Sequence, residues 1–279
     1  MPNNVKNRIT LIGDKSKIKE LVDNFSEYFS EKASETFDKR KNYTNKKGQH
    51  GRFDSNKNEF IIDNDEDTIL NKIPENFKPL MKSAWVRFPD FNKLIPMPEE
   101  LNITSGSLGE TAQGLLFGEG GSMFLGIDEL QKRFTNMSNE DQKESIEFGI
   151  KYHNNTIKYG YPTWYAWANK NWGTKWNAYS CEKISDDIFE FDTAWCSVIK
   201  IIRLLSQKAP DIEIKYEWAS EDTGSNCGTL TVKNDIISEQ FTPESQSKEA
   251  YELAFSLRPD HKEYYALVDG NYVSNEEDE

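Results

Sequence analysis

The groups that could do chemistry in this chain are few and scattered. There are three histidines, His50, His153 and His261, and three cysteines, Cys181, Cys196 and Cys227. No His-x-x-x-His or Cys-x-x-Cys spacing links them, so a zinc site would need ligands gathered from distant positions. A serine or threonine nucleophile needs a base held by a third group, and no Gly-x-Ser-x-Gly elbow is present. Cys196 follows Trp195 at an expected helix start, where a thiolate would be favoured. Free cysteine is also among the most buried residue types, so a core thiol is the expectation there. Paired carboxylates, Asp186-Asp187 and Glu221-Asp222, are what chance yields in an acidic chain. These observations point to a protein that is not an enzyme and holds no cofactor or metal.

The aromatic residues are concentrated instead. Four of the seven tryptophans fall between Trp164 and Trp176, in Trp164-Tyr165-Ala166-Trp167 and Asn171-Trp172-Gly173-Thr174-Lys175-Trp176-Asn177-Ala178. A Trp ring brings a large apolar area and one N–H that needs a partner, so such a cluster is a core plate or a binding surface. Most of it is expected to be structural. Trp172, Lys175, Trp176 and Asn177 are the candidate partner-binding residues, with Lys175 and Asn177 expected to face solvent.

A second candidate surface is electrostatic. The net charge is −13, which repels bare nucleic acid unless basic residues cluster. They do so once, in Lys39, Arg40, Lys41, Lys46, Lys47, Arg52 and Lys57, with Tyr43 and Phe53 available for base stacking. The stretch from 39 to 58 reads as an exposed basic loop beside an acidic run. A nucleic-acid-binding surface on this loop is the alternative to protein binding.

Behind these residues stand the elements that must position them. Val5, Ile9 and Leu11 predict a first strand, and Ile18, Leu21, Val22 and Phe25 a helix capped by Ser16. Pro79 to Trp85 reads as a short helix, and the proline-rich Pro89–Pro98 stretch as extended. The seven glycines between Asn102 and Gly126 suggest a mobile insertion. Ser138-Asn139-Glu140-Asp141 resembles a capping box before a helix with Ile146, Ile150, His153 and Ile157 on one stripe. Ile188–Phe191 predicts a strand, and Val198–Leu205 a helix. Ile212, Ile214, Tyr216 and Trp218 form a strand with one buried face, and Leu230 and Val232 a return strand. Thr242-Pro243-Glu244 is expected to open a last helix, and Tyr264–Val268 a short strand. Helices segregated from hairpins predict an α+β fold. The model is a ferredoxin-like four-stranded antiparallel sheet with helices on one face. Residues 1–240 are read as a single domain, with a C-terminal helix, strand and acidic tail in 241–279 packed on it. No run of ~18 apolar residues suggests a membrane span, and the N-terminus has no apolar leader. Cytoplasmic location is the expectation.

Three blocks together resemble the YubB-like family: Pro2-Asn3-Asn4-Val5-Lys6-Asn7-Arg8, Phe91-Asn92-Lys93-Leu94-Ile95-Pro96-Met97-Pro98, and Asn171–Ala178. Phe191-Asp192-Thr193-Ala194-Trp195-Cys196 and Tyr216-Glu217-Trp218 look like the same family's following segments. The resemblance implies a ferredoxin-like domain and a phage or plasmid setting, but no biochemical activity. In that setting small acidic proteins often disable a host defence component. The expectation that follows is counter-defence binding to a host protein or ribonucleoprotein, including inhibition of a CRISPR nuclease complex.

Overall fold

The apolar residues Val5, Ile9 and Leu11 lie on one face of strand β1 (Asn4–Ile12) and are fully buried. The structure is a computed structural model that describes residues 3–28, 42–45, 50–54, 59–62, 69–70, 77–79, 86–120 and 124–275. β1 is a central strand of a six-stranded antiparallel sheet. Its partners are β10 (Ile188–Ala194) on one side and β11 (Glu213–Ser220) on the other. Outside these lie β9 (Tyr179–Lys183), β12 (Cys227–Lys233) and β13 (Ile236–Phe241), giving the order β13-β12-β11-β1-β10-β9. The α+β, ferredoxin-like expectation holds, with two edge strands beyond the four expected.

Register aligns the core face. Asn7 opposes Phe191 on one side and Trp218 on the other, and Ile9 opposes Phe189 and Tyr216. Helices α1 (Lys15–Phe25) and α7 (Ile199–Lys208) supply buried Ile18, Leu21, Ile201, Ile202 and Leu205. At full burial the hydroxyl of Tyr216 accepts from the Val198 N–H, which fastens the approach to α7 to this face. On the reverse face, where the one-faced arrangement expected no helix, α8 (Lys248–Leu257) packs Ala250, Ala254 and Leu257 against Ala219 and Cys227. The helix and strand expected after Phe241 are present, with β14 (Tyr265–Val268) paired to β15 (Asn271–Ser274).

Residues Glu27–Arg87 form a second compact unit. It contains β2 (Glu27–Tyr28) paired with β8 (Val86–Arg87). It also contains a five-stranded sheet in the order β6-β5-β4-β3-β7. Those strands are β3 (Asn42–Asn45), β4 (His50–Asp54), β5 (Glu59–Ile62), β6 (Ile69–Leu70) and β7 (Phe77–Pro79). The stretch read as a basic loop therefore carries two paired strands, β3 and β4. Pro79 closes a strand rather than opening a helix, and 80–85 lie outside the described residues.

Other local expectations are corrected. Asp14, not Ser16, caps α1, its carboxylate accepting from the Ser16 and Lys17 N–H groups. Ser247 caps α8, five residues beyond Thr242. Asp90 caps a one-turn helix, α2 (Phe91–Leu94), inside the stretch expected to be extended; no proline falls within that turn. The glycine-rich stretch holds α3 (Ser107–Phe117), joined through α4 (Ile127–Thr135) to α5 (Asn139–Tyr159). Gly109 in it serves close packing, since a Cβ there would stand 2.6 Å from the Tyr152 ring of α5; on α5 itself a Cβ on Gly149 would stand 2.7 Å from the Ala112 Cβ. Ser138 caps α5 as expected, its hydroxyl accepting from the Asp141 N–H and donating to the Asp141 carboxylate.

Candidate functional site: an aromatic shelf beside the sheet

Helix α6 (Trp164–Asn171) ends where Gly173 adopts φ +80°, a conformation that costs glycine least. The chain then turns through Thr174–Ala178 into β9. This turn is pinned from beneath. Thr174 Oγ1 donates to the Ala194 carbonyl at 2.8 Å, at the end of β10. Trp172 is 6% exposed, donates Nε1 to the Ile95 carbonyl, and meets Trp167 and Phe91 edge-on. Its indole N–H is satisfied and its ring is almost wholly buried, so Trp172 offers little area of its own. Asn177 is engaged likewise. Its Oδ1 accepts from the Phe91 and Ala178 N–H groups, and its Nδ2 donates to Asp90 Oδ1 at 2.7 Å. An amide so fully engaged ties α2 to the turn and has little left for a partner.

Lys175 and Trp176 remain at the surface. Trp176 is 37% exposed and Tyr165 46%. The Lys175 ammonium lies 4.4 Å from the Trp176 ring centroid and 5.9 Å from that of Tyr165. An ammonium over aromatic faces at this exposure is worth about 0.5–1 kcal/mol and fixes the ring orientation. Met97, Asn102, Trp164, Trp172, Lys175, Trp176 and Asn177 line one shallow groove. The groove thus has a buried aromatic floor, a half-exposed aromatic rim and one cation. Such a surface can take an apolar or planar group and pair a neighbouring anion.

The shelf continues into β9. Trp176 meets the Tyr179 ring edge-on at 6.0 Å, and the Tyr179 hydroxyl donates to Asn4 Oδ1. Asn4 Nδ2 in turn donates to Glu221 at 2.9 Å, and Arg258 donates to the Asn4 carbonyl at 3.2 Å. Burial, with Asp192 and Glu221 nearby, pushes the Tyr179 hydroxyl up to about 12. Asp192, opposite Tyr179 in the sheet, is also raised by burial, against the pull of Lys6 and Arg258. Trp195 stands at the end of β10 with φ +71° and 52% exposure. A bulky residue in that region is strained. Its N–H donates to the Asn3 carbonyl and its carbonyl accepts from Asn226 Nδ2, which hold it there. Sequence reasoning passed over Tyr179 and Trp195 as site residues, although Trp195 lies in a block it had marked and Tyr179 directly follows one.

The other candidates are not drawn together. Cys196 is exposed, not a core thiol, while Cys227 is buried and Cys181 is half-buried. His153 hydrogen-bonds Glu119 and stacks on Phe117; His261 meets the Thr223 hydroxyl. Asp186 is held below the usual carboxylate range by a hydrogen bond from Lys183. Among the described residues no group of three or more His, Cys, Asp or Glu is placed to hold a metal ion. Of the basic candidates, Tyr43 and Arg52 fall in β3 and β4, whereas Lys39, Arg40, Lys41, Lys46 and Lys47 lie outside the described residues. Tyr216 and Trp218 face the core, as their parity with Ile212 and Ile214 required. Among the described residues no helix is long and apolar enough to cross a membrane.

No curated protein matches this chain. A solved structure, the protein Api92 from Yersinia pseudotuberculosis, is similar at 10% identity and a TM-score of 0.31, over 88% of this chain and 99% of that one. Residues 175–257, which run from Lys175 on the shelf to the end of α8, match the family model of the ferredoxin-like domain in Api92-like proteins.

Proposed function

We propose that this protein acts by binding a macromolecular partner, without catalysis, and that the shelf of Trp164, Tyr165, Lys175 and Trp176 is its contact surface. One observation carries the reading. Half-exposed aromatic rings with a cation between them border a groove that a buried tryptophan also lines. Trp and Tyr dominate interface hot spots because they bury much area at small entropic cost. The partner we propose is a protein component of a host defence system. The motive is the resemblance to YubB-like proteins of phages and plasmids. The −13 charge adds to it, since an acidic surface is suited to the electropositive channel of a nuclease or CRISPR complex. In that scheme the acidic surface steers the approach and the shelf anchors the complex.

The test is affinity capture of the tagged chain from host cells, with and without nuclease, for wild type and for Lys175→Ala with Trp176→Ala. The expected result is a defence protein retained after nuclease treatment and lost with the double variant. Recovery that depends on intact nucleic acid, and that survives the double variant, would transfer the activity to the basic stretch around Lys39–Arg52. Turnover of nucleotides or nucleic acid by the purified protein would overturn the non-catalytic reading.

A further inference from the structure

One aromatic residue is held against its conformational preference. β10 puts Phe189, Phe191 and Thr193 on the buried face, and a strand that ran on would put position 195 there too. A tryptophan in that place would be core. Instead the chain closes a three-residue turn. The Cys196 N–H donates to the Ala194 carbonyl at 2.9 Å, and Trp195 stands at the apex with φ +71°. This is the γ-turn of positive φ, the rare and strained form for a residue with a Cβ. Trp195 leaves it 52% exposed.

Neighbours clamp the turn in place. The Trp195 N–H donates to the Asn3 carbonyl at 2.8 Å, and Asn226 Nδ2 donates to the Trp195 carbonyl at 3.2 Å. Thr193 Oγ1 donates to the Cys196 carbonyl at 2.7 Å, and Thr174 Oγ1 to the Ala194 carbonyl at 2.8 Å. Every one of these bonds fixes backbone, and none reaches the indole. Its Nε1–H has no acceptor among the described residues. Thr174 directly precedes Lys175 and Trp176, so the turn that presents Trp195 is bonded to the turn that presents the shelf. Strain of this kind persists only where the surroundings over-determine it, and it gathers at sites that bind or react.

We propose that Trp195 is a second anchor of the contact surface, its indole entering an apolar pocket of a protein partner that offers Nε1–H an acceptor. The proposal rests on the binding reading above and extends it to a residue outside the groove. Tryptophan leads the residues found at interface hot spots. A backbone already set in the free protein need not be ordered when the complex forms.

Two measurements test this. In thermal denaturation of the full chain, Trp195→Gly should melt about 2 °C or more above Trp195→Ala, because glycine takes a positive φ without a Cβ penalty. At an unstrained position alanine is the more stable of the two. A Trp195→Gly midpoint below that of Trp195→Ala would mean that no strain is held, and would overturn the proposal. In capture from host cells with nuclease present, the wild type should retain a protein that Trp195→Gly loses. With p-benzoylphenylalanine in place of Trp195, irradiation should cross-link the chain to an apolar segment of that same protein. Capture that survives Trp195→Gly, or a cross-link to nucleic acid, would overturn the proposal. Loss with Trp195→Gly, beside retention by Lys175→Ala with Trp176→Ala, would uphold Trp195 and remove the shelf. Loss with the double variant alone would do the reverse, and a wild type that retains nothing would overturn both readings.

Discussion

The hydroxyl of Tyr216 donates to Asn7 Oδ1 at 2.6 Å in the middle of the sheet, with both side chains fully buried. Asn7 spends its amide protons on the Val5 and Phe191 carbonyls and the Thr193 hydroxyl. Tyr216 accepts in turn from the Val198 N–H. A polar group sits at the centre of an apolar core here because each end of it is paired, and the network joins β1, β10, β11 and the approach to α7. Tyr216→Phe would leave the Asn7 carbonyl and the Val198 N–H without their partner. It should lower unfolding free energy by about 1–3 kcal/mol, read from urea denaturation midpoints at an unchanged m-value.

Trp172 and Trp176 share a motif but should respond oppositely. Trp172→Ala opens a cavity beneath the turn and leaves the Ile95 carbonyl unpaired, costing about 3–5 kcal/mol. Trp176→Ala removes a rim ring and should cost under about 1 kcal/mol. Paired denaturation curves decide between these values. Equal losses would mean that the rim is as structural as the floor.

Gly109 and Gly149 are predicted to be intolerant of alanine. The added methyl meets a ring on one side and a neighbouring helix on the other, so each substitution should cost about 1–3 kcal/mol through overpacking. A lowered thermal midpoint for Gly149→Ala, beside an unchanged one for Gly106→Ala, where an added Cβ meets nothing within 4 Å and the backbone is extended, would assign the loss to close approach.

Alkaline stability should depend on Tyr179. Its hydroxyl titrates at 10 in the unfolded chain and about 12 in the fold. The folded state therefore holds the proton more tightly. The stability so gained is fully present below pH 10 and is lost as pH rises through about 12. Tyr216, raised in the same direction by burial, adds to the loss. Tyr179→Phe should lower the neutral-pH urea midpoint through loss of the Asn4 hydrogen bond and flatten the further decline between pH 9.5 and about 11.5; an unchanged slope would rule out Tyr179 as a source of the decline.

The sheet was legible because its strands alternate. Ile212, Ile214, Tyr216 and Trp218 share parity, and all four are buried. The shelf was legible only as a cluster. Composition located it, but not which ring faces which way, because that depends on Asn177 reaching back to Asp90 and Phe91 across more than eighty residues. For that reason the bonds that engage Asn177 were not foreseen. The glycines of α3 misled for a related cause. A glycine kept for close approach to Tyr152 looks, in one dimension, the same as one kept for mobility. The helix stripe at Ile146–Ile157 was read correctly as a stripe, but periodicity alone does not say whether a core or solvent lies opposite.

β1 is paired on both sides, yet both of its neighbours lie about 175 residues or more further along the chain. During synthesis at roughly 5–20 residues per second, this apolar strand waits on the order of 10–40 s for a partner. The two halves of the sheet cannot close until β11 has been made, so the fold has high contact order and should form slowly. In the cell, the strand that holds the finished sheet together is the one that chaperones must shield longest.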